Sequence, residues 1–143
     1  MSRSIVLAMQ AEAEPERIYR AITTQEGLAA FWTPDVTASP EVGATLRLGF
    51  AEAPVDLQMA VIELEPAERV GWRSPGPWPS WTGTTVQWTL SPAPEGTTVV
   101  FRHDGWSDDV ADPELGMVAM TWSAVLHALR AHVETGVVAP ALA

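Results

Sequence analysis

The stretch that decides the fold is LGMVAMTWSAVLHALRAHVE, residues Leu115–Glu134. Its apolar side chains recur at intervals of three and four residues, which is the spacing of one face of an α-helix. Such a helix is about 30 Å long, enough to lie across an antiparallel sheet and cover it. The residues on the apolar face are Leu115, Val118, Ala119, Trp122, Val125, Leu126, Leu129 and Val133. A pocket remains between helix and sheet if side chains do not fill the space.

The chain before this helix is predicted to form one strand, two short helices and a meander of six strands. The first strand is predicted at Arg3–Gln10, and a helix begins at Pro15 and continues through Ile22. A capping box from Thr23 to Glu26 predicts a second helix through Leu28–Phe31. Turn signals then divide the chain into six strands. These are Asp35–Ala38, Ala44–Ala51, Val55–Leu64, Arg69–Ser74, Trp81–Leu90 and Thr97–Trp106.

Two irregularities accompany this pattern. The apolar alternation of the Val55–Leu64 strand changes phase near Val61, which predicts a β-bulge or burial of both strand faces. The tail after Gly136 has no periodic pattern and is predicted to be frayed.

The composition narrows the choice of partner. The chain has a formal net charge of -10, no cysteine, and eight basic residues that are all arginine. The lack of cysteine excludes disulfides and thiolate zinc sites, and the lack of lysine excludes Schiff-base chemistry. The negative charge disfavours nucleic acids and anionic membrane surfaces, because both bind through basic groups. A neutral or cationic small molecule is the easier partner.

The length and the hydropathy predict a single cytoplasmic domain. The 143 residues fit one domain over residues 1–143. The apolar run Ile5–Met9 is too short for the core of a signal peptide, and glutamates follow it. No stretch of about 18 apolar residues is present, so no membrane span is predicted.

Several segments resemble the signatures of the START-like (SRPBCC) superfamily. They are Glu16–Thr23, Gly27–Pro34, Gly96–Trp106, Trp122 with Leu126 and Leu129, and Glu134–Gly136. Within the superfamily they are most similar to the branch named after the activator of the heat-shock chaperone ATPase. The resemblance covers about Ser4 to Pro140.

The resemblance implies the α+β helix-grip fold, with a curved antiparallel sheet, two short N-terminal helices and a long C-terminal helix across the sheet. It also implies a deep, mostly apolar cavity between sheet and helix. Roles in the superfamily range from ligand carriage to cyclisation of polyketides. In the co-chaperone a second domain precedes this module, and no such domain is expected in this chain.

His103 is the candidate for chemistry. It shares a strand face with Val99 and Phe101, and if this face points to the helix, the imidazole lies at the end of the cavity as a general acid or base. The alternative is a hydrogen-bonded structural histidine. Asp104 follows directly and points to the opposite strand face, so no histidine–carboxylate dyad is expected. His127 and His132 are predicted to be solvated, and no metal site or cofactor motif is found.

The tryptophans are candidates for the wall of the cavity or for an ordinary core. Trp72 and Trp88 share strand faces with apolar residues and are predicted to point inward toward Trp122. The predicted ligand-binding residues are Trp32, Trp72, Trp88, Phe101, His103, Trp106, Val118 and Trp122. Trp78 and Trp81 lie in the proline-rich loop Ser74–Trp81, which is predicted to be a cavity lid, a dimer contact or a loop folded onto the sheet edge.

The remaining charged residues and two methionines have interpretations that involve no chemistry. Asp108–Asp112 matches the DDxxD pattern of prenyl-transfer enzymes, but Pro113 follows it, so Asp112 is predicted to be the N-cap of the long helix. Met117 and Met120 lie off the main apolar face and predict an exposed patch or a second contact surface. Mid-strand Glu63 and Arg73 are predicted on solvent faces, the alternative being polar anchors for a ligand.

Three functions are compatible with these observations. The leading hypothesis is a protein that binds a small apolar molecule, aromatic or polyketide-like, between the sheet and the C-terminal helix. The second is a cyclase or dehydratase that uses His103 as general acid or base. The third is a co-chaperone-like module that binds the heat-shock chaperone ATPase through its surface. The sequence is also compatible with a homodimer.

Overall fold

A computed structural model describes residues 2–142, in which seven antiparallel strands form one sheet. The order of the strands across the sheet is β1-β7-β6-β5-β4-β3-β2. The strands are β1 (Arg3–Ala11), β2 (Asp35–Thr37), β3 (Thr45–Gly49), β4 (Leu57–Glu65), β5 (Arg69–Arg73), β6 (Thr85–Ala93) and β7 (Gly96–Trp106). The helices are α1 (Pro15–Thr23), α2 (Gln25–Phe31) and α3 (Asp112–Thr135). The predicted α+β helix-grip fold is therefore confirmed.

Helix α3 buries only part of its predicted apolar face. Its buried residues are Trp122, Val125, Leu126, Leu129 and Val133. Leu115, Val118 and Ala119, in the first turns, are only half-buried. The N-terminal part of α3 is therefore less closely covered by the rest of the protein than the C-terminal part. None of the helices within residues 2–142 is long and apolar enough to cross a membrane.

The strands agree with the prediction except at β6. The pairing of β4 with β5 shifts between Val61 and Glu63, which confirms the predicted bulge. The predicted start of a strand at Trp81 is wrong, because Pro79–Trp81 forms a 3-10 turn and β6 begins at Thr85. The Thr84 hydroxyl donates to the Trp81 carbonyl at 2.6 Å and closes this turn. β6 also ends three residues later than predicted, at Ala93 instead of Leu90, whereas the ends of the other six strands lie within two residues of the prediction.

The cap of α2 lies one residue later than predicted. The hydroxyl oxygen of Thr24 accepts from the amide of Gly27 at 3.1 Å, so Thr24 is the N-cap. Thr23 instead ends α1, and its hydroxyl donates to the carbonyl of Tyr19. Gly27 allows the two helices to approach, since a Cβ at this position would overlap the backbone of Ala21.

The start of α3 also differs from the prediction. Asp112 is the first helical residue, and the N-cap is Ala111, which makes no side-chain cap. The carboxylate of Asp112 accepts from the Arg3 guanidinium at 2.7 Å, and the same guanidinium donates to the carbonyls of Ser107 and Val110. Arg3 therefore fixes the β7–α3 loop to the first strand.

The C-terminal tail is ordered, so the prediction of fraying is wrong. Gly136 adopts a left-handed conformation with φ of 81°, which ends α3 and turns the chain back. Three tail amides then donate to carbonyls at the C-terminal end of α2. The amides of α2 itself cannot reach these carbonyls, because the last turn of a helix has no following turn. The pairs are Ala139 with Ala30 at 3.1 Å, Ala141 with Phe31 at 2.8 Å, and Leu142 with Trp32 at 2.9 Å.

Removal of residues 141–143 should lower the free energy of unfolding by about 2 kcal/mol, because two of these hydrogen bonds are lost, each with a net value of about 1 kcal/mol. Urea unfolding measures this difference. The control is Leu142→Ala, which keeps both backbone bonds and should cost only about 1 kcal/mol for the half-buried side chain. An unchanged urea midpoint for the truncated protein would show that the tail does not stabilise α2.

Candidate functional site

A cleft of about 380 Å³ lies where the N-terminal half of α3, the β3–β4 loop, the proline-rich loop and the tail meet. Its wall is formed by Trp32, Phe50, Glu52, Ala53, Leu57, Trp78, Trp81, Glu114, Met117, Val118, Thr121, Trp122, Val125 and Leu142. We call this the aromatic cleft. Most of these side chains are apolar, and four are tryptophans. Glu52, Glu114 and Thr121 are exposed, so the polar groups lie at the mouth.

The proline-rich loop forms one wall of the aromatic cleft. The indole N–H of Trp78 donates to the carbonyl of Val55 at 2.9 Å, which ties this loop to the β3–β4 loop. The ring of Trp81 packs against those of Trp106 and Trp122, with centroids 5.7 and 6.0 Å apart. Because β5 and β6 are interior strands, their connecting loop has no sheet edge to fold onto. It lies over the inner face of the sheet instead.

Behind the aromatic cleft the predicted aromatic residues form one cluster. Trp32 stacks on Trp72 with centroids 5.8 Å apart and planes at 17°. Phe101 lies 4.5 Å from Trp122 and 4.9 Å from Trp88. Trp88 contacts Trp122 directly at 6.4 Å, as predicted, whereas Trp72 points inward but contacts Trp32 and Trp88.

The structure divides the eight predicted ligand-binding residues into two groups. Trp32, Val118 and Trp122 line the aromatic cleft. The other five are fully buried behind it and do not line it, and they are Trp72, Trp88, Phe101, His103 and Trp106. The predicted set is therefore contiguous in space, but most of it forms the floor on which the cleft rests.

His103 makes a directed chain of hydrogen bonds between α3 and the sheet. The indole N–H of Trp122 donates to Nδ1 of His103 at 3.0 Å. Since an indole N–H can only donate, Nδ1 carries no proton, and the neutral ring is protonated at Nε2. Nε2 lies 2.9 Å from the hydroxyl oxygen of Thr84, to which it donates, and Thr84 donates in turn to the Trp81 carbonyl. Both ring nitrogens thus have partners.

The surroundings of His103 keep its ring neutral. Burial lowers the pKa of His103 to about 3, although the carboxylate of Asp104 on the opposite strand face acts to raise it. A ring with this pKa, with two engaged nitrogens and without a position in the wall of the cleft, is built as a structural link. The general acid or base role of His103 stays a prediction.

The other candidates lie away from this chain of hydrogen bonds. His127 is exposed, and Nδ1 of half-buried His132 lies 2.9 Å from the carbonyl of Val137. Arg73 is exposed, and Glu63 pairs with Arg69 at 3.4 Å. Within residues 2–142 no three histidine, aspartate or glutamate side chains are arranged to hold a metal ion.

Sequence reasoning singled out some residues of the cleft and missed others. Trp78 and Trp81 were candidates for a lid, and Met117, one of two exposed methionines within residues 2–142, was recognised as lying off the main helix face. Phe50 and Leu142 carried no such signal, because one follows a strand and the other belongs to the tail.

Residues 12–134 match the family described as Activator of Hsp90 ATPase homolog 1-like protein. The chain belongs to this family. A comparison with curated proteins gave no significant match. The family membership agrees with the helix-grip fold and with the resemblance seen in the sequence.

Solved structures extend the comparison. The Aha1 dimer from Colwellia psychrerythraea is 30% identical, with a TM-score of 0.84 over 94% of this chain and 98% of that one. Protein SSP2350 from Staphylococcus saprophyticus is 20% identical, with a TM-score of 0.77 over 98% of this chain and 100% of that one. DynU16, from the dynemicin biosynthetic locus, is 21% identical, with a TM-score of 0.78 over 98% of this chain and 49% of that one. The last two likenesses show the shared fold.

Trp122→Phe should destabilise the protein by about 1–3 kcal/mol more than Trp88→Phe does, because it removes the donor to buried Nδ1 of His103. Trp88 is the matched control, since it is equally buried and its indole N–H has no hydrogen-bond partner within residues 2–142. Urea unfolding of both variants measures the difference. Equal losses would show that the Trp122–His103 bond does not contribute to stability.

Stability should fall as the pH drops from about 6.5 toward about 3. The pKa of His103 is about 3 in the folded protein and 6.5 for an unperturbed histidine, so between these values only the unfolded chain binds the proton. At pH 5 this effect should remove about 2 kcal/mol relative to neutral pH. Urea unfolding from pH 7 to pH 5 measures it. The slope should persist in His127→Gln and decrease in His103→Gln, and an unchanged slope in His103→Gln would assign it to other groups.

Proposed function

We propose that this protein is a cytoplasmic binder of a small apolar, aromatic or polyketide-like molecule, which it holds in the aromatic cleft. The observation that carries this proposal is the cleft itself, with about 380 Å³ of space and a wall of four tryptophans. Ligand sites of this size, with apolar walls and few polar groups, are typical of proteins that bind small organic molecules. Flat indole surfaces favour a flat polycyclic ligand, because stacked rings share the largest contact area.

The division between floor and wall supports binding. The deep tryptophans Trp72, Trp88 and Trp106 are fully buried and hold the floor in place, so the cleft is supported from behind by close packing. The wall tryptophans Trp32 and Trp122 pack on this floor and are only 2% exposed, so the half-buried rings of Trp78 and Trp81 offer most of the accessible indole surface. A ligand would therefore meet a largely preformed surface, which reduces the entropy lost on binding.

The relatives are consistent with this proposal. DynU16 comes from a biosynthetic locus, which suits a fold that handles small organic molecules. The Aha1 relative at 30% identity is a dimer, and we extend the proposal to a homodimer of this chain.

A second candidate function is binding of the chaperone ATPase, favoured by the family of this chain and by its 30% identity to Aha1. Met117 and Met120, which are 68% and 75% exposed, would be the natural contact patch. This function requires no ligand in the cleft, so the titration below distinguishes the two. A cyclase or dehydratase using His103 would require the ring to leave its present partners, and we rank it third.

Titration with flat apolar compounds should quench tryptophan emission in a saturable manner, because the aromatic cleft is lined by the fluorophores. Thr121→Phe, at the mouth of the cleft, should weaken binding by about tenfold or more, which corresponds to about 1.4 kcal/mol. Ala124→Phe is the matched control, since Ala124 is an exposed residue of the same helix outside the cleft.

Two results would bear against this proposal. Equal affinities for Thr121→Phe and Ala124→Phe would place the ligand elsewhere. The absence of any response across the panel would favour the partner-binding function. Protein that retains a small molecule from the cell gives a flat response as well, so the titration is made on protein refolded from urea.

A further inference from the structure

The charged groups of the aromatic cleft are all of one sign. Glu52, in the β3–β4 loop, and Glu114, in the first turn of α3, are the charged side chains of its wall, which contains no arginine, lysine or histidine. Both are exposed, and neither forms an ion pair within residues 2–142. The helix dipole accounts for a carboxylate at position 114, but it gives no reason for one at position 52.

Elsewhere in the protein, five of the eight arginines are engaged with carboxylates. Arg3, Arg47, Arg69, Arg102 and Arg130 each pair with aspartate or glutamate. The two cleft glutamates have no such partner within residues 2–142, in a protein whose formal net charge is -10. Charges of one sign on low-dielectric walls concentrate their field in the space between them, and here the field attracts cations.

Three of the five side-chain hydrogen-bond donors of the wall are used by the protein itself. The indole N–H of Trp78 donates to the carbonyl of Val55, and that of Trp122 donates to His103. The hydroxyl of Thr121 donates to the carbonyl of Met117 at 3.1 Å. An anionic ligand would therefore find the indole N–H groups of Trp32 and Trp81 as the remaining side-chain donors, beside two carboxylates, whereas a ligand that carries N–H donors would find free acceptors in Glu52 and Glu114.

The tryptophan surfaces also favour positive charge. The rings of Trp78 and Trp81 meet edge to face, with centroids 5.3 Å apart and planes at 85°, and both are half-buried. A cation within about 6 Å of an indole face is attracted by the negative charge of the ring surface, and tryptophan is the strongest side chain in this respect. The same walls that stack an aromatic ring can therefore hold an ammonium group.

We propose that the ligand of the aromatic cleft is an organic cation, an apolar aromatic amine whose rings lie among the tryptophans and whose ammonium group faces Glu52 and Glu114. This inference rests on the proposed function, because it specifies the chemical class of the molecule that the cleft binds.

The test uses three naphthalene probes that differ in charge and share one ring system: 2-naphthylmethylammonium, 2-naphthylmethanol and 2-naphthoate. Isothermal titration calorimetry at low ionic strength should give an affinity for the ammonium probe about tenfold higher than for the alcohol, with 2-naphthoate weakest. The ratio of the first two affinities should decrease as salt is added, since exposed charges are screened.

The double variant Glu52→Gln/Glu114→Gln should reduce the ratio of the ammonium affinity to the alcohol affinity to about threefold or less, because the amide side chains keep the shape and remove the charge. The matched control is Glu41→Gln/Glu95→Gln, which changes the net charge equally at exposed positions outside the cleft and should keep the ratio. This comparison separates the effect of the two glutamates at the mouth of the cleft from the effect of the net charge of the whole protein.

The outcomes distinguish this inference from the function on which it rests. If the alcohol or the naphthoate binds as tightly as the ammonium probe and Thr121→Phe weakens them, the cleft binds apolar molecules and the preference for cations is wrong. A ratio that falls equally in both double variants would also overturn it. If none of the three probes binds, this inference and the proposed function both fail.

Discussion

The hydrogen bond from the Trp122 indole to Nδ1 of His103 is a buried, directed contact on which the helix–sheet interface depends. Apolar packing stabilises this interface but has no directional preference, so it tolerates small displacements of the helix along the sheet. A donor with a single N–H and a buried acceptor with one free lone pair allow one position only. Because Thr84 links the same imidazole to the Trp81 carbonyl, the contact also positions the proline-rich loop. The helix and the loop that bound the aromatic cleft are therefore set by one side chain.

The positions of the buried tryptophans explain how an aromatic-rich core can leave an open cleft. In a close-packed interior, side chains fill the volume between helix and sheet. Here Trp72, Trp88 and Trp106 fill it at depth, while the first turns of α3 are only half-buried and border the cleft. The open space thus coincides with the end of α3 that is least covered, and the closed core with the end that carries Leu126, Leu129 and Val133.

The sequence was sufficient for the order of the elements and insufficient for their ends and long-range contacts. Period-two and period-3.6 patterns report which face is buried, and so the strands, the bulge near Val61 and the long helix could be predicted. The shift of the α2 cap from Thr23 to Thr24 could not, because adjacent threonines have the same propensity and only tertiary packing selects between them. Contacts such as Arg3 with Asp112, or the tail with α2, depend on the folded path of the chain and leave no local pattern. The inward strand faces indicated which tryptophans meet, but not which of them border empty space.

The wall of the aromatic cleft combines residues that are far apart in the chain, from Trp32 through Phe50, Trp81 and Trp122 to Leu142. No two consecutive elements of the chain are sufficient to form it, and bringing together such distant segments has an entropic cost during folding that local contacts do not offset early. The cleft is therefore absent from any partly folded chain in which α3 or the tail has not yet docked. Ligand occupancy would accordingly select the complete fold and slow its unfolding, so a bound molecule would lengthen the lifetime of the protein as well as serve its function.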